Sequence, residues 1–62
     1  MAPSPVRHIL PEPGSRVRHP GQPGWGVGQV QSVVGERITV NFLNAGKVLI
    51  NASQVALELV ED

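Results

Sequence analysis

From Arg16 to Phe42 the chain reads RVRHPGQPGWGVGQVQSVVGERITVNF, and turn-forming residues cut it too often for a long helix. Pro20-Gly21-Gln22-Pro23-Gly24 is a loop by composition. Gly35-Glu36 is a two-residue turn with glycine first, which suits a type II′ hairpin and its positive φ. Asn44-Ala45-Gly46 fits a three-residue hairpin with glycine in the left-handed position. The pieces between these turns alternate as strands do. Arg37 to Leu43 is the clearest, with Ile38, Val40 and Phe42 on one side and Thr39 and Asn41 on the other. Ser15 to His19 is expected as a first strand, with Val17 inward and Arg16 and Arg18 outward. Gly26 to Val34 makes the second, and Lys47 to Asn51 the fourth, with Val48 and Ile50 inward. Ala52 to Val55 suits a single 3₁₀ turn, and Ala56 to Val60 a short fifth strand with Leu57 and Leu59 on one face. The alternative for that last segment is a short helix over Ser53 to Glu61, capped by Ser53. Gly26 and Gly28 flank Val27 at the start of the second strand, where missing side chains allow the sharp bend a small barrel needs to close. The expectation is an all-β, five-stranded, strongly bent barrel, and α/β classes are excluded.

Sixty-two residues make one domain. A chain of this size buries only roughly 60% of its unfolded surface, and without cysteine neither a disulfide nor a thiolate metal site adds to that. Met1 to Pro13 holds four of the six prolines and reads as an extended, disordered tail. Docking of Val6, Ile9 and Leu10 on the barrel or on a partner is the alternative to disorder there. Gly14 to Asp62 is the folded part. Formal net charge is zero, but Arg7, Arg16 and Arg18 lie early and Glu58, Glu61 and Asp62 late. No run reaches the ~20 apolar residues of a membrane span, and Ile9 and Leu10 stand alone where a signal peptide would carry its apolar stretch. Together with the lack of cysteine, this leads to the expectation of a cytoplasmic protein.

The chemical inventory is short. His8 lies in the expected tail, Asp62 is the only aspartate, and no paired carboxylates are placed for acid–base work. His8 and His19 without cysteine or clustered acids do not make a metal site. Gly24, Gly26 and Gly28 lack the strand–helix frame of a phosphate loop. No catalytic residue, cofactor or small-molecule substrate is expected. An aromatic cage for methyl-lysine needs more rings than Trp25 and Phe42 supply, with Phe42 expected in the core. Trp25 has two readings: a plug over one end of the barrel, its indole N–H given to a loop carbonyl, or a binding hot spot. Arg16, Arg18, His19, Trp25 and Arg37 are the candidate binding residues, with solvated surface charge the competing account of the arginines. Trp25 beside Arg16, Arg18 and His19 is also a minimal set for stacking and holding a nucleic acid. An open barrel leaves an edge strand that a partner strand can join.

The series Val17, His19-Pro20, Trp25, Gly26, Gly28, Val30, Val40 and Phe42 carries a resemblance. It resembles the Tudor-like C-terminal domain of UvrD/PcrA-type DNA helicases and the RNA polymerase-interacting domain of CarD-type regulators. Over Ser15 to Val60 the chain is also similar to a family of short bacterial proteins that consist of this domain alone and have no assigned biochemistry. These resemblances imply an SH3-like/Tudor-like barrel acting as a protein-interaction module, with RNA polymerase or another transcription or DNA-repair protein as partner. The loop between Pro20 and Trp25 is longer here than in the helicases. Weak nucleic-acid binding is the alternative.

Overall fold

A computed structural model describes residues 11–60. Residues 1–10 of the expected tail, with Val6, Arg7, His8, Ile9 and Leu10, and the terminal Glu61-Asp62 therefore lie outside the described residues, while its last three, Pro11 to Pro13, are described. Five antiparallel strands form one sheet: β1 (Arg16–Arg18), β2 (Gly28–Val34), β3 (Arg37–Phe42), β4 (Gly46–Asn51) and β5 (Glu58–Leu59). A 3₁₀ turn (Pro23–Trp25) precedes β2. Their order in the sheet is β4-β3-β2-β1-β5. This is a meander of three strands with β1 added to its front and the last strand returning to β1. It is the strand order of the expected SH3-like barrel.

The turns follow from their residues. Val34 pairs with Arg37 across Gly35-Glu36, and Gly35 takes φ 59° while Glu36 does not go positive, as a type II′ turn requires. Phe42 pairs with Gly46, so the second hairpin loop is Leu43-Asn44-Ala45, and Gly46, at φ 77°, re-enters the ladder. Ahead of β1, Glu12-Pro13-Gly14-Ser15 is itself a tight turn, with the Ser15 N–H donating to the Glu12 carbonyl at 2.9 Å. Gly14 and Ser15 then bond to Val30 in both directions, at 2.8 and 2.9 Å.

Several boundaries differ from expectation. Proline ends the ordered part of β1 at Arg18 rather than His19, and Gly26 (φ 79°) still belongs to the loop, so β2 starts at Gly28. Ala52–Gln54 is a plain turn rather than a 3₁₀ helix. The segment after it is extended, with β5 reduced to Glu58–Leu59, which rules out the alternative helix over 53–60. Bending comes from two devices. One is Gly28, whose missing side chain lets Val40 and Phe42 lie against the backbone: a Cβ built there would sit 2.5 Å from Val40 Cγ1 and 2.6 Å from Phe42 Cδ1. The other is a bulge between Val30 and Ser32, which puts two residues of β2 opposite one of β3.

The core is six aliphatic and aromatic side chains, Val17, Val30, Ile38, Val40, Phe42 and Ile50, none more than 4% exposed. Trp25, Val33, Val48, Ala52, Val55 and Leu57 close around it, each half-buried. No described polar or charged residue is buried. Every described charge therefore lies at the surface, and the topology decides on which side.

Candidate interaction surface

Alternation sends Val17, Val30, Ile38, Val40, Phe42 and Ile50 into the core and their neighbours to the opposite, outer face of the sheet. Arg16 and Arg18 flank Val17 on β1 and are exposed. Arg37 opens β3 and is exposed, and Lys47 is exposed on β4. These four are all the Lys and Arg among the described residues. Within β1 to β4 no carboxylate stands among them. Among the described residues, acids lie at the borders of this face: Glu36 in the β2–β3 turn, and Glu58 on β5, in register with Arg18. Among the described residues, the outer side of β1–β4 thus carries four cations and no carboxylate, in a chain of zero net charge.

The register arranges that face. Arg16 aligns with Gln29, Gln29 with Asn41 and Asn41 with Lys47. At ~4.8 Å per strand this is a line of cation, amide, amide and cation about 14 Å long. A groove of about 460 Å³ runs beside it, lined among others by Arg16, Val27, Gln29, Asn41 and Leu43. Leu43, 80% exposed, and Leu49, 62% exposed, add apolar contact on the β3–β4 side. Arg37 does not join this row. It pairs with Val34 and Asn51, four residues along β3 from Asn41, or about 13 Å.

Trp25 packs against the barrel core. Its ring lies 5.1 Å from the Phe42 ring, tilted by 59°, and packs on the core. On its other side His19 meets it edge-on, with ring centroids 5.0 Å apart and planes at 70°. Such pairs add about 0.5–1.5 kcal/mol beyond the area they bury. The expected tie from the indole N–H to a loop carbonyl is absent among the described residues, and Asn44 holds the loop instead. The Asn44 side-chain N–H donates to the Gly24 carbonyl at 3.2 Å, and its backbone N–H to the Trp25 carbonyl at 2.9 Å. His19 is likewise fixed: its Nδ1 accepts the Gly21 N–H at 3.0 Å, and its carbonyl accepts the Gln22 N–H across Pro20-Gly21. Of the five sequence-predicted residues, His19 and Trp25 form one packed cluster, Arg16 and Arg18 share the outer side of β1, and Arg37 stands apart.

Gln29, Asn41 and Lys47 were not among the predicted residues. Each was legible as an outward position of an alternating strand. Only the register reveals that they continue the line begun by Arg16. Among the described residues no three His, Cys, Asp or Glu side chains come together as a metal site would require. None of their helices is long and apolar enough to cross a membrane.

The architecture defines a small all-β barrel with a polar, cation-bearing outer face. The chain belongs to the family described as protein of unknown function DUF3553, whose profile matches residues 11–60. Comparison with curated proteins gave no match, and neither did comparison with solved structures. The likeness to the helicase and CarD-type domains gains no support from these comparisons.

Proposed function

We propose that this chain is a non-catalytic docking module that uses the outer face of β1–β4 to bind an acidic surface of a protein partner. One observation carries the reading. All four described cations lie on that face, and no carboxylate of β1–β4 stands with them. Uneven charge of this kind steers association and sets partner choice more than it adds raw affinity. Leu43 and Leu49 beside the cations supply aliphatic contact, which suits a protein surface. By resemblance, RNA polymerase is the partner to test first, which would place the module in the cytoplasm.

Nucleic acid is the second reading, favoured by the same cations. Against it stands the use of both described aromatic rings. Trp25 and Phe42 pack on each other, so neither is presented as a stacking platform for bases.

The test is a bacterial pull-down with wild type and an Arg18→Glu/Lys47→Glu variant, both exposed positions. RNA polymerase subunits enriched by wild type and lost from the variant support the reading. No enrichment over an unrelated small barrel removes the polymerase partner. Oligonucleotide titration at low salt separates the second reading, since phosphate-driven affinity falls steeply as salt rises.

A further inference from the structure

We infer that two copies of this chain pair through the open edge of β4, antiparallel about a two-fold axis, with Leu49 facing its own counterpart. The inference goes beyond the docking reading and does not depend on it. It starts from the backbone. Bonded and non-bonded pairs alternate along an antiparallel ladder. The Ala52 N–H donates to the Glu36 carbonyl at 2.8 Å, so this is a bonded pair. Counting along the unbroken register makes Ile38–Ile50 and Val40–Val48 bonded too. Lys47, Leu49 and Asn51 then turn their own N–H and C=O groups away from β3, toward the edge of the sheet. The Asn51 carbonyl confirms the direction, because it accepts the Gln54 and Val55 N–H groups at 3.0 Å on that side. Among the described residues, the backbone groups of Lys47 and Leu49 on that side meet no partner.

Edges are normally blunted by proline, bulges, shortness or dense charge. β4 has no proline, pairs with β3 without a bulge over six residues, and carries one lysine. The opposite edge, β5, is two residues long. Among the described residues, only the β4 edge is therefore long enough to add a strand. A pairing of that edge with itself is closed, giving a dimer and not a filament.

The side chains choose the register. With Leu49 opposite Leu49 of the second copy, Lys47 faces Asn51, and the two lysines lie about 13 Å apart along the strands. The Asn51 carbonyl is already engaged, so its N–H alone serves that pair. Moving the register by two residues would set Lys47 against Leu49 and bring the lysines to diagonal positions about 7–8 Å apart. The Leu49-centred register therefore joins apolar to apolar and keeps like charges apart. On the inner side it lays the half-exposed Val48 against Ile50 of the second copy. The two cationic outer faces then form one continuous surface.

Sedimentation equilibrium and size-exclusion light scattering at chain concentrations up to about 1 mM test this. The expected mass is twice the 6.6 kDa of the chain. Leu49→Lys sets two charges against each other at the axis and is expected to raise the dissociation constant about tenfold or more. Leu49→Pro removes an N–H that the β3–β4 ladder does not use, and is expected to give monomers. Circular dichroism checks that each variant is folded. Should Leu49→Pro fail to fold, Leu49→Lys decides. Leu59→Lys, on the other edge, is expected to stay dimeric. A wild-type monomer at the highest concentration, a folded Leu49→Lys that dimerises as wild type does, or dissociation by Leu59→Lys overturns the inference.

Discussion

Of the seven glycines, Gly28 leaves the least room for a methyl, so Gly28→Ala strains this barrel. The new Cβ would lie 2.5 Å from Val40 Cγ1, 2.6 Å from Phe42 Cδ1 and 2.9 Å from Phe42 Cε1. Carbon atoms settle at about 3.5–4.0 Å, so β2 and β3 must separate by about 1 Å or two core side chains must leave their rotamers. Val40 is 0% and Phe42 2% exposed, so neither has open space to move into. Overpacking of this kind costs about 1–3 kcal/mol, and the upper half of that range applies because both obstacles are buried. The ordinary benefit of replacing a strand glycine, about 0.5–1 kcal/mol, offsets part of it. The net loss is about 1–2.5 kcal/mol. At about 0.05–0.15 kcal/mol per residue, roughly fifty ordered residues hold only about 2.5–7.5 kcal/mol. At about 4–8 °C per kcal/mol for a domain of this size, the melting temperature should fall by roughly 4–20 °C. Thermal denaturation followed by circular dichroism measures this directly. Gly24→Ala is the control, because its Cβ would meet nothing within 4 Å and its φ is not positive. It is expected to stay within about 0.5 kcal/mol of wild type. If Gly28→Ala melts at or above the wild-type temperature, the account of Gly28 as the point where the barrel folds onto itself is wrong.

Trp25→Ala should destabilise by about 1–3 kcal/mol, through lost burial against Phe42 and His19, whereas Trp25→Phe should recover most of that in the same melt. As the only tryptophan, Trp25 should shift its emission to longer wavelength on unfolding, giving a urea titration that coincides with the circular dichroism one. Asn44→Ala removes the side-chain tie to Gly24 and should cost about 0.5–1.5 kcal/mol, with faster amide exchange in residues 22–26 as its signature. Gly35→Ala forces a side chain into φ 59° and should cost about 1–2 kcal/mol by thermal melt.

The parts of this fold that sequence revealed are those fixed by neighbours along the chain. Ile38, Val40 and Phe42 alternate with Arg37, Thr39 and Asn41, and no rearrangement of distant segments could change which side they share. Gly35 and Gly46 announced their hairpins because positive φ is a local demand. The bulge in β2 and the shortness of β5 have non-local causes. The inward valines of β2, Val30 and Val33, stand three residues apart, a spacing that breaks the period of two. That break is the trace of the bulge, but a bulge is specified by two strands, and β3 supplies the partner register that β2 alone lacks. β5 shrank to Glu58–Leu59 because its extent depends on a β1 only three residues long.

The interaction surface followed the same division, with a consequence for how its charge is read. Composition records zero net charge, and linear order places cations early and acids late. Folding lays β1, β2, β3 and β4 side by side and so collects Arg16, Arg18, Arg37 and Lys47, spread over more than thirty positions of sequence, on one face. Of the described acids, Glu36 occupies a turn, and Glu58 meets Arg18 only at the β5 border of this face. Screening separates the two descriptions. If the face acts as a unit, docking should weaken as ionic strength shortens the Debye length from about 10 Å at 0.1 M toward about 3 Å at 1 M, below the ~4.8 Å between strands. Neutralising Lys47, at the end of the row, should then lower the salt dependence more than neutralising Arg37, which stands about 13 Å off the Arg16–Lys47 row. Equal effects from both would mean that the partner senses overall charge, and the row would have no special part in recognition.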